Sequence, residues 1–115
     1  GEPWVRNSVS PGDGIYKTTD GGTTWTNLGL KNSERIADII VHPTNSDVVY
    51  VAALGSLWKG NDERGVFKTT DGGKTWTKIL YIDENTGAAD LDIDPKNPDI
   101  LYASMWGFRR QPWTF

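Results

Sequence analysis

The phrase KTTDGGTTWT at Lys17–Thr26 returns as KTTDGGKTWT at Lys68–Thr77. The match extends outward, placing Gly14–Thr26 on Gly65–Thr77 and Ile36–Ala52 on Ala88–Ser104. One inserted residue in the segment 78–87 separates the two registers. A period of roughly fifty residues means stacked units, each burying its faces against its neighbours. A phrase written once per unit is expected to hold the unit together, whereas a catalytic phrase rarely appears in duplicate.

Each unit reads as four short strands. IADIIVH alternates, with Ala37, Ile39 and Val41 on one face and Asp38, Ile40 and His42 on the other. PTNSD and PKNPD are turn phrases, since Pro and Asn/Asp set the backbone there. The apolar runs 48–54 and 100–106 suit strands covered on both faces. GVFKTT and TWTKIL flank Asp71-Gly72-Gly73-Lys74 as a hairpin, and no stretch reads as a helix. The reading is all-β, with units in the length range of propeller blades.

The repeated phrase is a turn clamp. An Asp can accept hydrogen bonds from backbone N–H groups just ahead, while Gly-Gly supplies the positive φ such a turn needs. Thr24 and Thr75 can add hydroxyl bonds, and Trp25 and Trp76 can cover the hairpin.

Composition excludes several classes. The net charge of −3 gives no basic footprint for nucleic acid. With no cysteine there is neither a disulfide framework nor a thiolate metal site. No apolar run reaches membrane-spanning length. Asp90, Asp92 and Asp94 lie on a strand and lack the glycine of a calcium loop, so they read as water-facing lining of a propeller channel. His42 is the only histidine and precedes a turn proline, with no nucleophile phrase elsewhere to partner it. No metal or cofactor is expected.

Thr18-x-Asp20-x-Gly22-x-Thr24-Trp25 and Thr69-x-Asp71-x-Gly73-x-Thr75-Trp76 resemble the Asp-box, or BNR repeat, at every defined position. That motif occurs in β-propellers, among them sialidases, xyloglucanases, sortilin-type receptors and photosystem II assembly factors. The rest of the unit, HPTNSDVVYVAALGSLW and DPKNPDILYASMW, is most similar to bacterial secreted propellers of the sortilin type, often labelled glycosyl hydrolases. The resemblance implies that the box sits between the third and fourth strands of a blade and is structural. It also implies a secreted or periplasmic location.

On that alignment the chain is a β-propeller segment of four-stranded antiparallel blades, about two blades' worth. Residues 1–35 carry the third and fourth strands of one blade with the preceding loop. Residues 36–81 make a complete blade, and 82–115 supply the first two strands of the next. Closure needs about four or more blades, so the expected partners are further blades of a longer chain or other protomers.

In an up-and-down blade, successive turns emerge at alternating ends. The Asp-box turns share one end with PTNSD and PKNPD, and the long loops 1–13, 55–64 and 107–115 share the other. Those loops carry Trp4, Arg6, Trp58, Arg64, Arg109, Arg110 and Trp113, the candidate ligand-binding residues. Trp offers a stacking plate, and Arg can clamp a carboxylate with two parallel bonds. Loops that vary on a constant scaffold are where recognition concentrates. The first expectation is a non-catalytic module binding a protein, peptide or glycan through this face. The alternatives are a piece of a sialidase- or xyloglucanase-like glycoside hydrolase and a structural subunit of a larger assembly. Hydrolysis requires two carboxylates flanking the bond, and nothing in the sequence pairs any two of the loop acids Glu2, Asp13, Asp62, Glu63 and Glu84.

Overall fold

The computed structural model describes residues 1–4, 8 and 10–107. Eight strands run in chain order: β1 (Tyr16–Lys17), β2 (Thr26–Asn27), β3 (Ile36–Val41), β4 (Val49–Ala53), β5 (Gly65–Thr69), β6 (Thr77–Leu80), β7 (Thr86–Ile93) and β8 (Leu101–Gly107). They form three antiparallel sheets, β1-β2, β3-β4-β5-β6 and β7-β8. The protein is therefore an all-β propeller segment with one four-stranded blade. One 3-10 turn, Lys31–Ser33, is the only helical element among the described residues.

The middle strands of the four-stranded sheet, β4 and β5, are buried on both faces. Val51, Ala53 and Phe67 pack with Ile15 and Leu30 of the preceding sheet's segment. Tyr50, Ala52 and Val66 pack with Ala88 and Leu91 of the following strand. Strand β4 thus sits in the middle of three layers, which is why its sequence is an unbroken apolar run. The run at 100–106 behaves differently. Leu101 and Met105 pack inward, but Tyr102, Ala103, Ser104 and Trp106 are exposed.

The alternation expected along 36–42 is broken. A β-bulge lies between Ile36 and Asp38 and turns Ala37 to the same core as Ile40, while Ile39 and Val41 face away and are exposed. The same bulge recurs between Ala88 and Asp90. At both places an Asp carboxylate accepts the next N–H, Ile39 at 2.8 Å and Leu91 at 2.9 Å. The recurring acid of the first strand therefore closes the bulge.

Both turn phrases are held alike. His42 N–H donates to Val48 and Asp94 N–H to Ile100 across the turn. His42 Nδ1 accepts from Thr44 N–H at 3.2 Å, while Asp94 accepts from Lys96 and Asn97. The single histidine is a turn acceptor.

Candidate functional site

The two ends of the blade are built differently. At one end Gly72 N–H donates to the Asp47 carbonyl, joining the Asp-box turn to the PTNSD turn. Within the box, Asp71 accepts from the Thr75 hydroxyl (2.6 Å), the Thr75 N–H (2.9 Å) and the Thr69 hydroxyl (2.7 Å). Thr69 Oγ1 in turn accepts from Gly73 N–H at 2.9 Å. The first box repeats the geometry, with Asp20 accepting from Thr24 twice and from Thr18, and Gly22 N–H donating to Thr18. These donors pull Asp20 from 3.8 to about 2, the Thr24 hydroxyl contributing most. Asp71 is pulled lower still, first by the Thr75 hydroxyl. A carboxylate held so firmly ionised is a poor general acid at neutral pH.

The opposite end gathers the long loops. The 55–64 loop winds around Arg64, which is fully buried. Its guanidinium donates to the carbonyls of Leu54 (2.7 Å), Lys59 (2.6 Å) and Ser56. Gly55, at φ +79°, leaves room for the Arg64 stem, which any Cβ there would strike. Asn61 ties the loop outward. It accepts from Ser56 N–H and donates to the Asn32 carbonyl at 2.7 Å, while its own N–H reaches the Glu84 carbonyl. Glu63 accepts from Asn32 N–H at 2.7 Å.

Beneath this loop Arg35 is also buried and donates Nε–H to the Gly55 carbonyl at 2.8 Å. Burial, followed by the charge of Arg64, lowers Arg35 from 12.5 to about 10, so it remains charged at neutral pH. Leu30 and Glu34 flank the 3-10 turn with positive φ (55° and 63°), a strained backbone for non-glycine residues.

Three segments then enclose a polar hollow of about 470 Å³. Pro11 and Gly12 form one wall, Lys31, Asn32 and Glu34 a second, and Lys59, Gly60, Asn61 and Asp62 the third. Lys59 crosses it to Glu34 at 3.8 Å.

The residues expected on this face separate clearly. Trp4 and Trp58 are exposed, at 68% and 46%. Arg64 is a correction: its guanidinium is spent on loop carbonyls inside the fold and cannot clamp a ligand. Arg6, Arg109, Arg110 and Trp113 lie outside the described residues. Sequence reasoning passed over Lys31, Asn32, Lys59 and Asn61, which line the hollow. Their signal was available in the loop lengths, because the β2–β3 connection must emerge at the same end as the 55–64 loop. Of the loop acids, Glu63 accepts from Asn32, Asp13 accepts from the Tyr16 hydroxyl at 2.9 Å, and Glu84 lies against Gly60. No cluster of three or more potential metal ligands occurs among the described residues, and no helix among them is long and apolar enough to cross a membrane.

Comparison with known proteins agrees with this architecture. A xyloglucanase of Hypocrea jecorina (strain QM6a) is 38% identical over 64% of this chain. The chain spans 9% of that relative's length. No solved structure matches the chain. The profile described as Sortilin, neurotensin receptor 3 (Sortilin-Vps10) matches residues 13–111, so the chain belongs to the Sortilin-Vps10 family, whose members are in general extracellular or lumenal.

Proposed function

We propose that this chain is a non-catalytic interaction module of an extracytoplasmic propeller, binding a protein, peptide or glycan at its long-loop end. One observation carries the reading: three separate segments converge there on a polar hollow, over a rigid base of two buried arginines. Lys31 and Lys59 supply positive charge beside the acids Glu34 and Asp62, Asn32 supplies a side-chain amide, Asn61 holds the wall together, and the exposed Trp58 precedes that wall in sequence. Such a mixture suits polar ligands carrying hydroxyl or carboxylate groups. At the other end, both Asp-box carboxylates are committed to their own turns.

The test is calorimetric titration with xyloglucan oligosaccharides and a panel of acidic peptides. Trp58→Ala and Lys31→Ala should each weaken binding about tenfold, the usual scale of losing one good contact. Binding that survives both substitutions, or maps to the Asp-box turns, would overturn the assignment.

The likeness to a xyloglucanase supports a second reading, in which the propeller belongs to a glycoside hydrolase. Release of reducing sugar from xyloglucan by the purified protein, abolished by substituting two acids of the long-loop end, would favour it over the first.

A further inference from the structure

The polar groups around the hollow divide into those committed to the fold and those open to a ligand. Asn61 spends its side chain on the Ser56 N–H and the Asn32 carbonyl, and Glu63 accepts from the Asn32 N–H. Among the described residues, the Lys31 ammonium, the Asn32 side-chain amide and the Asp62 carboxylate make no hydrogen bond or ion pair. Lys31 and Asn32 stand on one wall and Asp62 on another. Lys59 and Glu34 hold each other at 3.8 Å, a loose pair whose lysine is 72% exposed. Such a pair is worth about 0–1 kcal/mol, so a ligand can draw Lys59 away at little cost.

The repeat shows that its register does not call for the positive charge gathered here. Arg64 stands just before Gly65, where the other unit has Asp13 before Gly14. Arg35 stands just before Ile36, where the other unit has Gly87 before Ala88. Lys31 falls on Ile82 or Asp83, according to where the inserted residue is counted. The Arg64 guanidinium bonds the Lys59 carbonyl at 2.6 Å, and Arg35 directly follows Glu34. Both buried charges therefore back the walls that carry Lys59 and Glu34, and buried charge is only weakly screened by salt.

The wall that carries Lys31 is set in advance. Leu30 and Glu34 bracket its turn at φ 55° and 63°, strain of order 1–3 kcal/mol each that persists only where the surroundings fix it. Asn61 and Glu63 grip Asn32 from the facing loop, and the Gly12 N–H bonds the Glu34 carbonyl. A preformed wall spares a ligand the cost of ordering it.

The mixed lining selects among polar ligands. An acidic peptide would meet the lysines but set its own carboxylates against Glu34 and Asp62. A neutral sugar would offer hydroxyl donors to those acids and leave the lysines and buried arginines without a counter-charge. A sugar ring that carries a carboxylate answers both. We infer that the hollow binds a uronic-acid residue of an anionic glycan, its carboxylate held by Lys31 and by Lys59 drawn from Glu34, its ring hydroxyls donated to Asp62. The hollow, at about 470 Å³, is within the ordinary size of small-ligand sites. This inference rests on the reading of the long-loop end as a binding face and narrows it to one ligand class.

Trigalacturonate is the probe, and its fully methyl-esterified form is the control, with the same rings and hydroxyls but no charge. Calorimetric titration of the chain should show the acid binding at least about tenfold tighter than the ester, and added salt should weaken the acid alone. Lys31→Met should lower affinity for the acid about tenfold without changing affinity for the ester, and Lys31→Arg should retain it. Lys31 is exposed and its repeat counterpart is not lysine, so these substitutions leave the chain folded, as circular dichroism would show. Equal binding of acid and ester, or binding of the acid that survives Lys31→Met, overturns the inference. Tetra-aspartate bound as tightly as the acid, and lost with Lys31→Met, also overturns it while keeping the hollow as a binding site. No binding of trigalacturonate overturns this inference alone, because xyloglucan oligosaccharides and acidic peptides still decide the broader reading.

Discussion

The Trp76 indole reaches the Leu28 carbonyl across 48 residues of sequence and joins two sheets that share no strand pairing. Its counterpart Trp25 donates to the Gly22 carbonyl of its own turn at 3.1 Å. The same motif therefore does two jobs. The Asp and Thr atoms close the hairpin in both copies, whereas the Trp latches to the preceding sheet at Trp76 and folds back on its own turn at Trp25.

Removing the two rings should have unequal consequences. Trp76→Ala deletes a part-buried ring and leaves the Leu28 carbonyl without its donor, costing about 3 kcal/mol. Trp25→Ala removes a ring that is 59% exposed and should cost under about 1 kcal/mol in the isolated chain. Chemical denaturation of both variants at low protein concentration checks the difference.

This asymmetry marks where sequence stops being legible. The duplicated phrase, the strand order and the turn phrases follow from local chemistry, and the hydrogen bonds of the Asp-box and of the turns recur in both copies. What lies against a copy is a long-range matter, so two identical motifs differ in burial. Arg64 was misread for a related reason. It ends a polar run and reads as surface, yet a ten-residue loop leaves backbone carbonyls without sheet partners. An arginine just before a strand-opening glycine was the available signal. The bulge at Ala37 is equally silent in an alternating pattern, although the Asp repeated at 38 and 90 marks it in retrospect.

Acid should loosen the Asp-box turns. Asp20 ionises at about 2 when folded against an ordinary 3.8, and Asp71 is lowered further. Between those values the unfolded chain binds more protons, so stability rises with pH. The contribution is fully present above roughly pH 4 and is lost as pH falls through about 2. Melting temperatures across this window should fall less steeply for Asp20→Asn and Asp71→Asn than for the native chain. Equal slopes would show that the turns are not the groups responsible.

Arg64 should matter to shape more than to charge. Arg64→Met leaves three carbonyls beneath the 55–64 loop without their donor and should cost about 3 kcal/mol or more. Arg64→Lys should not rescue it, because one ammonium cannot reproduce the spread of a guanidinium fork. Hydrogen exchange should report lost protection at Ser56 and Asn61, whose N–H groups are bonded within and beyond the loop.

The two box glycines offer a paired measurement of the contact between sheets. Gly22 and Gly73 have nearly the same positive φ, 97° and 94°, so alanine meets the same backbone strain at either place, about 1 kcal/mol. Their surroundings differ. A Cβ at Gly22 would meet only the Trp25 ring at 3.8 Å, an ordinary contact. A Cβ at Gly73 would overlap Leu28 Cδ1 and stand 3.2 Å from its Cγ, forcing the neighbouring segment away. Moving Leu28 would also stretch the Trp76 bond to its carbonyl. Gly73→Ala should therefore destabilise by about 1–3 kcal/mol more than Gly22→Ala, the usual range for overpacking. Combining Gly73→Ala with Leu28→Ala removes the clash and should return part of that excess. No such recovery would mean that Gly73 is needed for its backbone alone.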